Sequence, residues 1–287
     1  MSKFICDSNC ELDFRKFDEL KIDYLIRMPY TVNGAESCYD LGRAGGDAAS
    51  EDFFEKMRRG ASVKTQALNQ ANYVEYFEPF LKAGEDVLYV TFTHKMSATF
   101  LSMDAAIAEL KEKYPDRTIT TADSKGISMA AGIVVYYAAK LHNSGASDAE
   151  VVKFVEEFRE RIACYFTVDD LVYLKRGGRL SGFKALMGTM LNLKPIITIT
   201  DGALDGAEKV KGRKKAIATL AEKLESEKVD LDYPVTVLTT ELGEDYDLLN
   251  AGIKERFPSA QLWPCRVGPV IGCHCGPGTL GVVFVKS

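Results

Sequence analysis

The sequence has no apolar run long enough to cross a bilayer, no charged-then-apolar leader, no C-x-x-C pair, one tryptophan and only three histidines. Each shortage narrows the reading. The longest apolar stretches, such as residues 130–139, fall well short of the ~20 residues a spanning helix needs, so a soluble, cytoplasmic protein is expected. Positive charge is not in excess: the net charge of -5 argues against nucleic acid or an acidic membrane surface as the main partner. Seven cysteines, an odd number without a pairing pattern, read as reduced thiols. Cys273 and Cys275 flank His274 but no second ligand cluster accompanies them, so no metal is expected. Neither a G-x-x-x-x-G-K-[ST] triphosphate loop nor a G-x-S-x-G nucleophile elbow occurs. What is present is a 287-residue chain with 46% hydrophobic residues, enough to bury one large or two ordinary α/β cores.

The pattern along the chain alternates strands and helices. Phe4-Ile5-Cys6 reads as a buried strand, followed by Asp7-Ser8 where loops at strand carboxyl ends bind ligands, or where an Asx turn simply forms. A second apolar run spans residues 25–32, with Pro29 placing it at an edge or ending it, and a Gly- and Asp-rich surface loop follows through Gly46. A short helix starts near Ser50 and stops at Gly60. Thr65 then precedes another helical segment, as its N-cap or as a ligand contact. Residues 86–92 are apolar almost throughout, as a strand covered on both faces would be. Ser97 and Thr99 come directly after, at a strand-to-helix turn where free N–H groups favour an anion and where either hydroxyl would also serve as a cap. Another strand at 118–122, then Asp123-Ser124, and a small-residue helix from Ser128 complete a βαβ pattern. Ser147-Asp148-Ala149-Glu150 is a capping box opening the next helix.

The texture changes near Arg161, and the boundary is drawn there: an N-terminal Rossmann-like domain over 1–160 with a parallel sheet, and a C-terminal α/β domain over 161–287 with a mixed sheet. The second half offers strands at 195–200, 234–240 and 261–267, helices around 214–225 and 245–257, and a last strand at 282–285. Just before that strand, residues 268–281 put His274 inside a glycine-rich turn, either presenting the ring in a fixed direction or carrying it incidentally. Residues 276–281 also match G-x-G-x-x-G, but β-branched residues rather than a helix follow, so a dinucleotide site is rejected.

Several ordered segments resemble the DegV family of bacterial fatty-acid-binding proteins, carriers for a fatty acid kinase. They are Cys6-Asp7-Ser8, Lys64-Thr65, Ser97-Ala98-Thr99, Ala122-Asp123-Ser124, residues 166–181 with their Lys175-Arg176-Gly177-Gly178-Arg179 turn, residues 191–195, Asp201-Gly202 and residues 272–278. The resemblance spans nearly the whole chain and implies two α/β domains with a lipid tunnel near their interface. It implies that Thr65, Ser97 and His274 hold the carboxylate of a long-chain fatty acid. Arg179 would brace that site or staple the domains. It implies no cofactor beyond the bound lipid, no catalysis by this chain, and an ATP-dependent kinase as partner, with passing membrane contact during lipid exchange. The basic segment 209–215, with Lys209, Lys211 and Arg213, would meet the kinase or simply face solvent. Three positions depart from the family pattern: Gln66 for a hydroxyl residue, Ala98 for glycine and Cys275 for threonine. Two other functions use the same residues. Ser97 and His274 with Asp7 or Asp123 would make a hydrolase triad, and a lipid sensor would bind without any hand-off.

Overall fold

The computed structural model describes residues 1–179 and 193–287. Leu180, Ser181, Leu191 and Asn192 of the family-like segments lie outside the described residues. Three sheets organise the rest. The strands are β1 (Lys3–Asp7), β2 (Tyr24–Ile26), β3 (Pro29–Val32), β4 (Ala35–Cys38), β5 (Val63–Thr65), β6 (Val87–Thr91), β7 (Ile119–Asp123), β8 (Ile162–Thr167), β9 (Leu193–Thr200), β10 (Ala203–Lys211), β11 (Val235–Thr239), β12 (Leu262–Arg266) and β13 (Leu280–Val285). Between them run α1 (Phe14–Glu19), α2 (Gly46–Arg58), α3 (Gln70–Lys82), α4 (Thr99–Lys113), α5 (Met129–Asn143), α6 (Asp148–Phe158), α7 (Val172–Arg176), α8 (Arg213–Ser226), α9 (Glu244–Arg256) and α10 (Pro269–Cys275).

The first sheet, ordered β2-β1-β6-β7, is parallel throughout. Every residue of β6 is buried, which is why that segment is apolar on both faces. The second sheet, β10-β9-β8-β13-β11-β12, is antiparallel except for the β11–β12 pair. The fold is therefore α/β, with one parallel and one mixed sheet. One apolar cluster runs through both, joining Phe4, Tyr89 and Val135 to Phe166, Trp263 and Val283. A smaller cluster, including Ile217, Leu220, Leu249 and Phe284, fills the space between the mixed sheet and α8 and α9.

The third sheet, β4-β3-β5, differs from the sequence reading. The apolar run 25–32 is not one strand: β2 belongs to the parallel sheet, and Pro29 opens β3 in the antiparallel one. The expected surface loop holds β4, paired with β3 through Val32↔Ala35. All four residues of β4 are exposed, so no apolar alternation marked it. The same hairpin sheet ends in Thr65, which pairs with Tyr30. Thr65 is not a helix cap: Asn69 caps α3, in a reciprocal capping box with Asn72.

The last glycine-rich stretch is also different. Residues 269–275 form α10, with Pro269 in its first turn and His274 in its last. Proline at the first helical position sacrifices only an N–H that has no partner there anyway. Glycine is needed where the helix ends, because Gly276 has φ of +78° and a Cβ there would lie 2.2 Å from the Tyr173 ring. Packing against α2, α7 and β5 holds this short helix, which local propensity alone would not form. After Gly278 the chain enters β13, leaving no helix to receive a pyrophosphate.

Candidate functional site

Four elements converge on one cavity. The end of β5 brings Thr65, the turn after β6 brings Ser97, the last turn of α10 brings His274, and the segment after α7 brings Arg179. All four line a cavity of about 310 Å³. Its remaining wall is mostly apolar, including Met28, Phe92, Ile127, Phe166, Leu174, Leu238, Val267, Val270 and Ile271. A volume near 300 Å³ lies at the lower end of the range for small-molecule sites. Met96, Ser97, Ala98, Arg179 and Leu204 also line an open surface depression with His94, Lys95 and Leu101. The polar end of the cavity is thus its mouth.

The hydrogen bonds at that mouth leave donors unused. Thr65 Oγ1 and His274 Nε2 share a bond of 2.9 Å. Ser97 Oγ accepts the Thr99 N–H at 3.2 Å in a local turn, while the N-cap position of α4 is Ala98 and has no side-chain cap, so the Ser97 hydroxyl proton remains available. Thr99 is committed elsewhere, bonding the N–H and carbonyl of Leu68 and the Tyr73 hydroxyl. Arg179 donates to Met96 O through Nε and Nη2, at 3.2 and 3.0 Å, and to Gly177 O through Nη1. A guanidinium has five N–H groups, so two are left after those bonds. Arg179 thereby staples the Ser97 turn to the Gly177 turn, and it has no carboxylate partner among the described residues.

Burial and the nearby Arg179 charge push the His274 pKa down to about 4, so the imidazole is neutral at physiological pH. Its Nδ1 is buried with no hydrogen-bond partner. Gly177 explains why: a Cβ there would sit 2.2 Å from Nδ1, so the backbone comes up against the ring. Gly177→Ala should therefore displace the imidazole from Thr65. Ligand affinity is expected to fall about tenfold, the cost of roughly one neutral hydrogen bond, with far-UV circular dichroism unchanged. Equal affinity in the variant would show that the ring position does not matter.

No Ser-His-Asp relay is assembled among the described residues. Ser97 and His274 share no hydrogen bond, and neither proposed acid reaches the imidazole. Asp7 accepts the Asn9 N–H and the Tyr89 hydroxyl, both at 2.9 Å, and the Phe92 N–H at 3.3 Å, while burial raises its pKa to about 6. Asp123 accepts the Lys125 N–H at 2.7 Å. Ser8 Oγ accepts the Met28 N–H at 2.9 Å. Asp7 and Ser8 thus fix the loop, and it is the next residue, Asn9, that lines the cavity. The sequence reading missed it, although it lies in the same strand-end loop.

A family model described as an uncharacterised protein of the DegV family matches residues 2–287. The chain belongs to the DegV family. A DegV domain-containing protein of Clostridium perfringens is 34% identical over 289 residues, covering 99% of this chain and 98% of the relative. Among solved structures, a DegV family protein from Thermus thermophilus described for its fatty acid binding matches with a TM-score of 0.84 and 24% identity, each chain covered to 99%. A stearic acid-binding protein from Eubacterium ventriosum matches with a TM-score of 0.84 and 21% identity, over 100% of this chain and 98% of the other.

The three departures from the DegV pattern have local explanations. Ala98 is exposed with φ -75° and ψ -2°, a helical conformation that needs no glycine. Gln66 turns its amide outward, donating to Glu36 at 3.1 Å. Cys275 is buried, its thiol pKa raised by burial to about 12, so it lines the cavity as a small apolar group. All seven cysteines are free thiols. Among the described residues no group of three or more His, Cys, Asp or Glu could hold a metal, and no helix is long and apolar enough to cross a membrane.

The basic segment does not form one patch. Arg213 is tied to Asp245 at 2.7 Å and to Asp169 at 3.5 Å. Lys209 and Lys211 are exposed on β10, at the edge of the mixed sheet, alternating with buried Val210. Leu204, on the same strand, lines the mouth of the cavity, so Lys211 lies roughly 24 Å along the strand from it.

Proposed function

We propose that this chain is a carrier that binds a long-chain fatty acid in the apolar cavity and presents its carboxylate at the mouth to a separate ATP-dependent kinase. One observation carries the reading. Among the described residues Arg179 is the only charged side chain lining the cavity, and it stands at the opening with unused donors beside Ser97, Thr65 and neutral His274. An apolar cavity with donors at one end suits an amphiphile with an anionic head. Charge-assisted hydrogen bonds offset desolvation of the carboxylate while the wall takes the methylenes. The fatty acid binding described for solved proteins of the same fold supports the same ligand class. We read residues 1–160 and 161–287 as two domains, the cavity drawing its lining from both, and we place the protein in the cytoplasm with passing membrane contact during lipid exchange.

Native mass spectrometry followed by organic extraction tests the ligand. A long-chain fatty acid released in stoichiometric amount is the expected result. No acyl species, together with no uptake of added fatty acids, would overturn the reading, and a phospholipid or isoprenoid would refute the ligand class.

The hand-off to a kinase rests on the open mouth and on the absence of a G-x-x-x-x-G-K-[ST] loop. Lys209 and Lys211 are proposed as the kinase-facing cations, and Arg213 is withdrawn to a structural part by its two carboxylates. A standard interface covers ~800 Å² per partner, wide enough to reach both the mouth and these lysines. Lys211→Glu should weaken association with the cognate kinase several-fold, in a salt-dependent way, and leave fatty acid affinity unchanged. Unchanged kinase association would remove Lys211 from the docking surface, and acyl phosphate formed from ATP by this chain alone would end the carrier reading.

A further inference from the structure

Asn9 is 3% exposed, lines the cavity, and its side-chain oxygen has no hydrogen-bond partner. Its backbone N–H is taken by Asp7, so the side-chain amide is what it offers to the cavity. The other polar side chains in the wall away from the mouth are committed. Ser128 donates to Glu11, and Thr279 donates to the carbonyls of Cys275 and Gly276 at 3.2 and 2.9 Å. An amide oxygen buried without a partner is destabilising, and plain acyl chain has nothing to give it.

The placement of Asn9 separates it from the head-group cluster. It belongs to the short turn Ser8–Cys10, whose cap residue Glu11 accepts the Gly268 N–H at 2.6 Å, at the start of α10. His274 stands at the other end of that helix, six residues on, or roughly 9 Å at the helical rise. A group meeting Asn9 therefore lies along the acyl chain, away from the carboxylate.

Resting on the fatty acid reading above, we propose that Asn9 selects for an acyl chain carrying a hydroxyl group partway along its length, making a hydroxylated long-chain fatty acid a preferred ligand class. A hydroxyl both donates and accepts, so it pairs with either end of the amide. The apolar part of the wall, including Met28, Phe92, Ile127 and Val267, accepts the methylenes. Because hydroxylated isomers share the same cost of removing a hydroxyl from water, the position of the hydroxyl is the discriminating variable.

The experiment displaces a fluorescent fatty acid from delipidated protein with stearic acid and with a series of monohydroxystearic acids whose hydroxyl moves along the chain. The expected result is a maximum at one position, about tenfold tighter than the other isomers, which Asn9→Leu flattens. A flat profile in the wild type overturns the proposal and means that a water molecule satisfies Asn9. A maximum that survives in Asn9→Leu overturns it as well. The positional profile of the wild type needs no variant, and Asn9→Ala repeats the comparison should the leucine variant not fold. If stearic acid itself does not bind, the fatty acid reading falls and takes this one with it; if it binds without positional preference, only this one falls.

Discussion

Shortening a saturated ligand by four methylenes, from eighteen carbons to fourteen, is expected to weaken binding roughly 200-fold. The estimate follows from about 0.8 kcal/mol per buried methylene and tenfold per ~1.4 kcal/mol. Its structural basis is the wall. Phe166, Leu174, Leu238, Val267, Val270 and Ile271 come from several elements of the second half of the chain, while Met28, Phe92 and Ile127 come from the first. Each methylene is thus taken out of water against side chains that are mostly buried already, which leaves little rearrangement to offset the gain. The head group is the same at every length, so Thr65, Ser97, His274 and Arg179 cancel from the comparison. Isothermal titration or displacement over a series from ten to twenty carbons reads the slope directly. A flat series would mean that the chain stays in solvent and only the carboxylate is held. A slope that reverses at long lengths would mark the point at which the cavity is full.

The sequence made some of this visible and hid other parts, for separate physical reasons. The segment that became β6 was readable because a strand buried on both faces must be apolar throughout. The capping box of Ser147 and Glu150 was readable because its chemistry is local, and Ser147 does accept the Glu150 N–H while Glu150 reaches back. β4 was hidden since an exposed strand of Ala35-Glu36-Ser37-Cys38 owes its existence to pairing with β3 and carries no pattern of its own. α10 was hidden for the opposite reason, as its glycines and proline argue for a turn and only tertiary packing makes them helical. At the site, family-like motifs pointed to Thr65, Ser97 and His274, which line one cavity although they are far apart in sequence. Gly177 lay inside a family-like segment without a part assigned to it, and Asn9 had no such signal. Their parts follow from which atoms they face, and a single sequence does not record that.

Arg179→Met should reduce fatty acid affinity more than loss of any other head-group residue, by roughly 30-fold to 5,000-fold. Removing one partner of a buried charge pair typically costs about 2 to 5 kcal/mol, because the other charge is left without compensation. In the ligand-free protein the situation is the reverse: the guanidinium is partly buried, and burial lowers its pKa from the ordinary arginine value. The backbone carbonyls of Met96 and Gly177 answer part of its hydrogen-bonding need but none of its charge. A bound carboxylate supplies the missing charge, whereas Ser97, Thr65 and the neutral His274 supply only dipoles. Methionine keeps much of the volume and none of the charge, so ligand-free stability should fall by no more than the loss of the Met96 and Gly177 bonds, about 1 to 3 kcal/mol. Arg179→Lys separates charge from geometry. The ammonium keeps the positive charge but cannot reproduce the fork that holds both carbonyls and still presents two N–H groups, so intermediate affinity is expected. Displacement titrations of the wild type and both variants, with thermal melts of the ligand-free proteins alongside, give the two numbers needed. Full affinity in Arg179→Met together with a large loss of ligand-free stability would make Arg179 a staple only and leave the carboxylate to the neutral donors.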